Sequence, residues 1–223
     1  MNITHAVDEK IEGDFLEAIF NRQKELMEKY HDIEKRSGLL QTEDCPVNLD
    51  DKRGQARIKD FAWRVTEELG EALDARHDAS HFKEELIDGL HFLTELTILS
   101  GLEIKDLISR VKRIYKITDN VSDVLELRDN FDIIYKCSHI LDNSFNEGVV
   151  QFIEALGMTC NCLKNKPWKQ TNMITDKEMF YDNLSKVWVT YVSVMAWEMP
   201  MKEIVETYFK KSQVNKFRQR SNY

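Results

Sequence analysis

Turn-forming residues are scarce in this chain, with 8 glycines and 3 prolines in 223 residues. That is too few for a many-stranded β protein, so the composition points to an all-α fold. No run of 18 apolar residues occurs, which argues against a membrane-spanning helix. The first twenty residues lack a basic segment followed by an apolar stretch, so no secretory signal is evident. The four cysteines, Cys45, Cys137, Cys160 and Cys162, form neither a CxxC pair nor zinc-finger spacing. They read as reduced, buried thiols of a cytoplasmic protein. Basic residues are in deficit, 31 against 39 acidic ones, and the net charge of -8 argues against a general nucleic-acid binder.

What is present is helical periodicity and charge. Phe15, Ile19, Leu26, Tyr30 and Ile33 recur at helical intervals, which predicts a first helix from about Asp8 to Arg36. The stretch from Ser37 to Gly54 holds Gly38, Pro46 and Asn48, and reads as a long connection of the kind that often serves a site or a lid. Further helices are expected from about Ile58 to Arg76 and from Ser80 to Leu99, with Gly101 as the stop, and then through Ile104, Leu107, Ile108 and Val111. A long apolar helix from about Lys177 is expected to break near Pro200 and to continue as a basic amphipathic one to Arg218. The whole reads as one multi-helix domain over residues 1–223, with a central helical insertion at about 119–183.

The acids that carry chemistry lie on the second and third helices. Residues three apart share a helix face, so Glu68 with Glu71, and Glu85 with Asp88, form two carboxylate pairs on consecutive helices joined by a short link. Glu-rich helices usually present such acids to solvent. Helical phase argues otherwise here. With Phe61 taken as zero, Val65, Leu69 and Ala72 span roughly 0° to +80°, and Glu68 falls inside that apolar stripe at about -20°. On the third helix Phe92, Leu96 and Leu99 share the sector of Glu85 and Asp88, so that helix is expected to be buried nearly all round. Buried carboxylates without partners cost several kcal/mol or take up protons. Four converging carboxylates call for cations, and hard oxygen donors without cysteine suit Mg²⁺, with Mn²⁺ as substitute.

The C-terminus is the second unusual segment. Five basic residues and no acid fall between Lys210 and Arg220. A cationic helix end favoured by the helix dipole is one account of them. The other is a phosphate clamp, because Lys211, Asn215 and Arg218 lie at i, i+4 and i+7 and face one way. A carboxylate–metal centre together with an anion clamp is what binding and hydrolysis of a nucleoside polyphosphate require.

At these residues the sequence resembles the all-α nucleoside triphosphate pyrophosphatases, above all the dimeric dUTPases and the related phage dCTPase-dUTPases. The motifs are Glu68-Leu-Gly-Glu71, then Glu85-Leu-Ile-Asp-Gly-Leu-His-Phe92, then the segment from Tyr208 to Tyr223 with its KxxxNxxRQ pattern. ExxE alone is weak, whereas the three in this order are specific. Asn21-Arg-Gln-Lys-Glu-Leu26 also looks like the family's first helix. The resemblance implies Mg²⁺-dependent attack of water on the α-phosphate of a pyrimidine deoxynucleoside triphosphate, with uracil as the favoured base and cytosine next. It implies two or more Mg²⁺ ions on Glu68, Glu71, Glu85 and Asp88, with Glu68 orienting the water and Glu71 as its rival in that role. It further implies phosphate contacts from Lys211, Asn215, Arg218 and Tyr223, base reading by Gln23, and a cytoplasmic homodimer. The departures are Ser212 where Asn commonly follows the Lys, Asn222 where Gly commonly precedes the final Tyr, and no tryptophans just after Glu71.

Three other readings compete. A MazG-type pyrophosphatase uses the same metal centre with a looser base pocket. A ferritin-like redox protein needs ExxH twice, and the partner helix here offers ExxE, so His91 reads as a packed histidine rather than a ligand. A non-catalytic partner-binding protein would simply pair the acids with the basic tail. Trp63, Trp168, Trp188 and Trp197 read as core or interface residues, and the apolar helix from Leu184 to Trp197 is expected to hide a stripe in a twofold interface.

Overall fold

The computed structural model describes residues 3–117 and 129–221. Among these the chain is all-α, with eight helices and no strand. The first, α1 (Phe15–Ser37), begins later than its apolar periodicity suggests, because Gly13 takes φ +80° and Asp14 accepts from the Glu17 amide as N-cap. Gly38 ends it at φ +74°. Helix α2 (Lys52–Asp74) begins earlier than expected, since the Asp51 carboxylate accepts from the amides of Arg53 and Gly54. The connection before it is pinned rather than free. Val47 and Leu49 are buried, and the Val47 amide donates to the Leu99 carbonyl at 2.8 Å.

A single 3₁₀ turn (Ala75–His77) links α2 to α3 (Ala79–Ser100), which Asp78 caps through the amides of Ser80 and His81. As its sequence predicts, α3 is buried nearly all round, and it packs on α1, α2, α7 and α8. Gly101 closes it at φ +76°. Helix α4 (Ile104–Ile114) lies against α7. Within the segment expected as an insertion, α5 (Asn130–Ile140) and α6 (Phe145–Cys162) both pack on α7. The last two helices, α7 (Lys177–Ala196) and α8 (Met201–Arg220), are separated at Pro200 as expected.

Two expectations are corrected here. Helix α7 hides no interface stripe, because Leu184, Val187, Trp188, Tyr191, Val192 and Met195 are all fully buried in the chain's own core. Of the four tryptophans, read as core or interface residues, Trp188 is in the core, its Nε1 donating to Thr97 Oγ1 at 2.9 Å, and Trp63, Trp168 and Trp197 are exposed on this chain, which leaves the interface reading open for them. Among the cysteines, Cys137 and Cys162 are buried and Cys160 half-buried, but Cys45 is exposed.

The junction that positions the acids is Gly89. A Cβ added there would lie 1.9 Å from the Tyr191 hydroxyl and 3.4 Å from Glu68 Cβ. Tyr191 is fully buried, and its hydroxyl donates to the Leu86 carbonyl at 2.9 Å. Glycine therefore lets α2 and α7 close on α3 beside Asp88. Gly89→Ala gains up to ~1 kcal/mol in helix propensity, but overpacking of this contact costs ~1–3 kcal/mol. A lower denaturation midpoint is expected. A midpoint equal to or above that of the parent chain would contradict this packing account.

Candidate active site

Three of the four predicted carboxylates converge. One oxygen from each of Glu68, Glu85 and Asp88 lies within 4.8 Å of the others, with Glu85 buried and the other two half-buried. Burial, together with the charges of Asp88, Glu71 and Glu85, raises the Glu68 pKa well above the usual carboxylate range. Burial also pushes Asp88 up to about 6, against the pull of Lys211. Glu71 is exposed one turn along α2 from Glu68, and its charge reaches the cluster although its carboxylate is not gathered into it.

Helix α8 supplies the opposing charge. Lys211 is buried, and its Nζ lies 2.8 Å from Asp88 Oδ2 and 3.5 Å from Glu84 Oε2. Burial disfavours this ammonium, but Asp88, Glu84 and Glu85 more than compensate and raise its pKa. Asn215, one turn further on, lines the adjoining cavity. Arg218 is exposed, yet its charge still lowers the Asp88 pKa. The predicted i, i+4, i+7 stripe thus runs from the cluster to the surface. Tyr223 lies outside the described residues.

The cavity of about 230 Å³ beside the cluster is lined by Gln23, Leu26 and Tyr30 of α1, Arg64 and Glu68 of α2, and Asp88, His91, Phe92 and Glu95 of α3. Gln23 is buried in a polar network. Its Nε2 donates to Glu95 Oε2 at 2.9 Å, and its Oε1 accepts from the Tyr208 hydroxyl at 3.0 Å and faces His91 Nδ1 at 2.8 Å. Burial, aided by the Lys211 charge, pushes the His91 pKa down to about 3, so the ring is neutral. An amide oxygen can only accept, so Nδ1 carries the proton and Nε2 is an acceptor. That Nε2 is buried with no hydrogen-bond partner among the described residues, while the ring stacks on Tyr208 at 3.9 Å between centroids. His91 is therefore packed, as its sequence context suggests, and it stands outside the carboxylate cluster.

Sequence reasoning missed Glu95. It sits four residues after His91 and seven after Asp88, a spacing that puts the three on one face of α3 and was the available signal. His81 was missed as well, its Nε2 lying 2.6 Å from Glu85 Oε1 at the exposed edge of the cluster.

An all-oxygen donor set with mutually repelling charges at the mouth of a cavity fits a hard divalent cation. A sequence model of the dUTPase family matches residues 72–223. The chain belongs to the dUTPase family. That match takes in Glu85, Asp88 and the α8 stripe. Gln23 and Glu68 precede it in sequence, and the fold brings them to the same cavity. No curated protein and no solved structure matches the chain.

Burial holds the Glu95 pKa at about 7, against the Gln23 hydrogen bond and the Arg57 charge. An acid whose folded pKa is raised stabilises the fold fully below its unfolded value, and that contribution is lost as pH rises through about 7. Thermal melts should therefore show Glu95→Gln gaining on the parent chain between pH 5 and pH 8. A difference that stays constant across that range would show that Glu95 is not held protonated by the fold.

Proposed function

We propose that the chain hydrolyses a pyrimidine deoxynucleoside triphosphate, dUTP in preference, to the monophosphate and pyrophosphate. The carrying observation is that one cavity joins the buried amide of Gln23 to Glu68 and Asp88 of the carboxylate cluster, with Asn215 of the basic helix on its wall. At about 230 Å³ it is smaller than the ~300–1,000 Å³ of typical ligand pockets. That size suits a single ring with the sugar and phosphates outside.

The base enters between α1 and α3. His91 Nε2 offers it an acceptor, and the second N–H of the Gln23 amide offers a donor, a pair that matches the N3–H and the neighbouring carbonyl of uracil. Cytosine carries no proton on N3 and loses the first of these bonds. The triphosphate lies along the α8 stripe, where Lys211, Asn215 and Arg218 hold its oxygens, and the family resemblance adds Tyr223 as a further phosphate contact. Glu68, Glu85 and Asp88, with Glu71 at the rim, would hold two or more Mg²⁺ ions, which Mn²⁺ could replace. Bound there, Mg²⁺ would supply a lowered pKa for water and charge to offset the phosphates. Glu68 orients the attacking water and accepts its proton, a role that suits the carboxylate standing at the junction of the cluster and the cavity. Lys211 must then exchange its Asp88 contact for phosphate as the substrate arrives. The protein works as a homodimer in the cytoplasm.

A second reading has one observation in its favour. The Lys211–Asp88 pair is what a non-catalytic protein would use to neutralise its acids. One ammonium does not neutralise three carboxylates, however, and among the described residues Glu68 forms no ion pair. A MazG-like breadth of substrate is the remaining enzymatic alternative.

Pyrophosphate release with Mg²⁺ from dUTP, dCTP, dTTP, dATP, dGTP and UTP decides among these. The proposal expects dUTP to lead, activity to vanish with EDTA, and Glu68→Gln to cut kcat by a factor on the order of 10² or more. Turnover spread across all bases would replace it with the broad pyrophosphatase. Silence on every nucleotide from folded, Mg²⁺-supplied protein would favour the binding protein.

A further inference from the structure

The outer face of α2 takes no part in the cavity. At about 100° per residue, Lys52, Ala56, Lys59, Trp63, Glu67, Gly70 and Asp74 all lie within about 40° of Trp63, opposite the core residues Phe61, Val65 and Ala72. Counted outward from Trp63, the stripe mirrors itself with charge inverted. Lys59 and Glu67 are equidistant from Trp63, as are Ala56 and Gly70, and as are Lys52 and Asp74. Such a face complements a second copy of itself laid antiparallel, each lysine meeting a carboxylate and each small residue meeting another.

Its surroundings carry the same message. Trp63 is 62% exposed, and its Nε1 is tied to Glu67 Oε1 at 2.7 Å. Beside it α6 exposes Val150, Ile153 and Met158, and a groove of about 260 Å³ runs between the two helices past Gly157. A Cβ added at Gly70 or Gly157 meets nothing in this chain. None of Lys52, Lys59, Glu67 and Asp74 forms an ion pair among the described residues, whereas Asp60 and Arg64 on the next flank of α2 pair at 2.8 Å. Lys52 and Lys59 donate to main-chain carbonyls, those of Lys169 and Leu163. Burial and the neighbouring Lys166 ammonium push the Lys59 pKa down, a penalty that a facing carboxylate relieves.

We infer that two copies of this chain associate through α2, antiparallel about Trp63, with the exposed apolar residues of α6 covering the flanks. This rests on the homodimer reading above and names its surface. The pairing leaves the cavity open, because Glu68 lies on the flank of α2 turned toward α3. It braces the helix that carries the first carboxylate of the site.

Sedimentation equilibrium of the full chain tests this with charge exchanges, circular dichroism confirming the fold of each variant. The parent chain should dimerise at micromolar concentration. Lys59→Glu and Glu67→Lys should each weaken the dimer by about tenfold or more, since each places like charges face to face. The double exchange Lys59→Glu/Glu67→Lys should return affinity to within about threefold of the parent, because the pair is restored in reverse. Single variants that dimerise like the parent would overturn this surface while leaving a homodimer formed elsewhere. A monomeric parent chain would overturn both.

Discussion

Three carboxylates whose oxygens lie within 4.8 Å of one another cannot all stay ionised without a cation, and the site depends on how that charge is met. Lys211 is the cation that the chain itself supplies. Its ammonium reaches Asp88 from α8, while α8 is held against α1 and α3 by buried Ile204, Tyr208 and Phe209. The same contact that offsets the Asp88 charge thus sets the basic helix over the place where a triphosphate is proposed to lie. Phosphate and divalent cation together can replace both ends of the pair, leaving neither charge unmatched.

The base end of the cavity is built on a different principle. Gln23, His91, Glu95 and Tyr208 form a buried polar network in which nearly every donor and acceptor is used within the chain. Such a network rigidifies the amide and fixes the tautomer of the imidazole. What it leaves over among the described residues is the unpartnered Nε2 of His91, beside the second N–H of the Gln23 amide. In a neutral ring that atom can only accept, so the pocket asks for a hydrogen-bond donor. A site that leaves a buried group unpaired until the right ligand binds discriminates far better than one relying on shape alone.

Much of this was legible in the sequence. The scarcity of glycine and proline announced an all-α fold, and the phase of Glu68 within an apolar stripe announced a carboxylate turned inward. Pro200 marked the break between α7 and α8 correctly. The errors share a cause. Periodicity shows which face of a helix is apolar but not what covers it, so it predicts an interface stripe on α7, where the chain's own core surrounds that face. Helix starts depend on caps such as Asp14 and Asp51, which compete with periodicity over single residues. Glu95 escaped notice because its partners, Gln23 and Arg57, come from α1 and α2, and only the packed fold brings them to α3.

A crystal structure of the chain with Mn²⁺ and a non-hydrolysable α,β-imido dUTP tests the central claim most directly. The account predicts anomalous density among Glu68, Glu85 and Asp88, uracil beside Gln23 and His91, and the Lys211 ammonium moved from Asp88 to a phosphate oxygen. Metal bound elsewhere, with Lys211 still paired to Asp88, would contradict it.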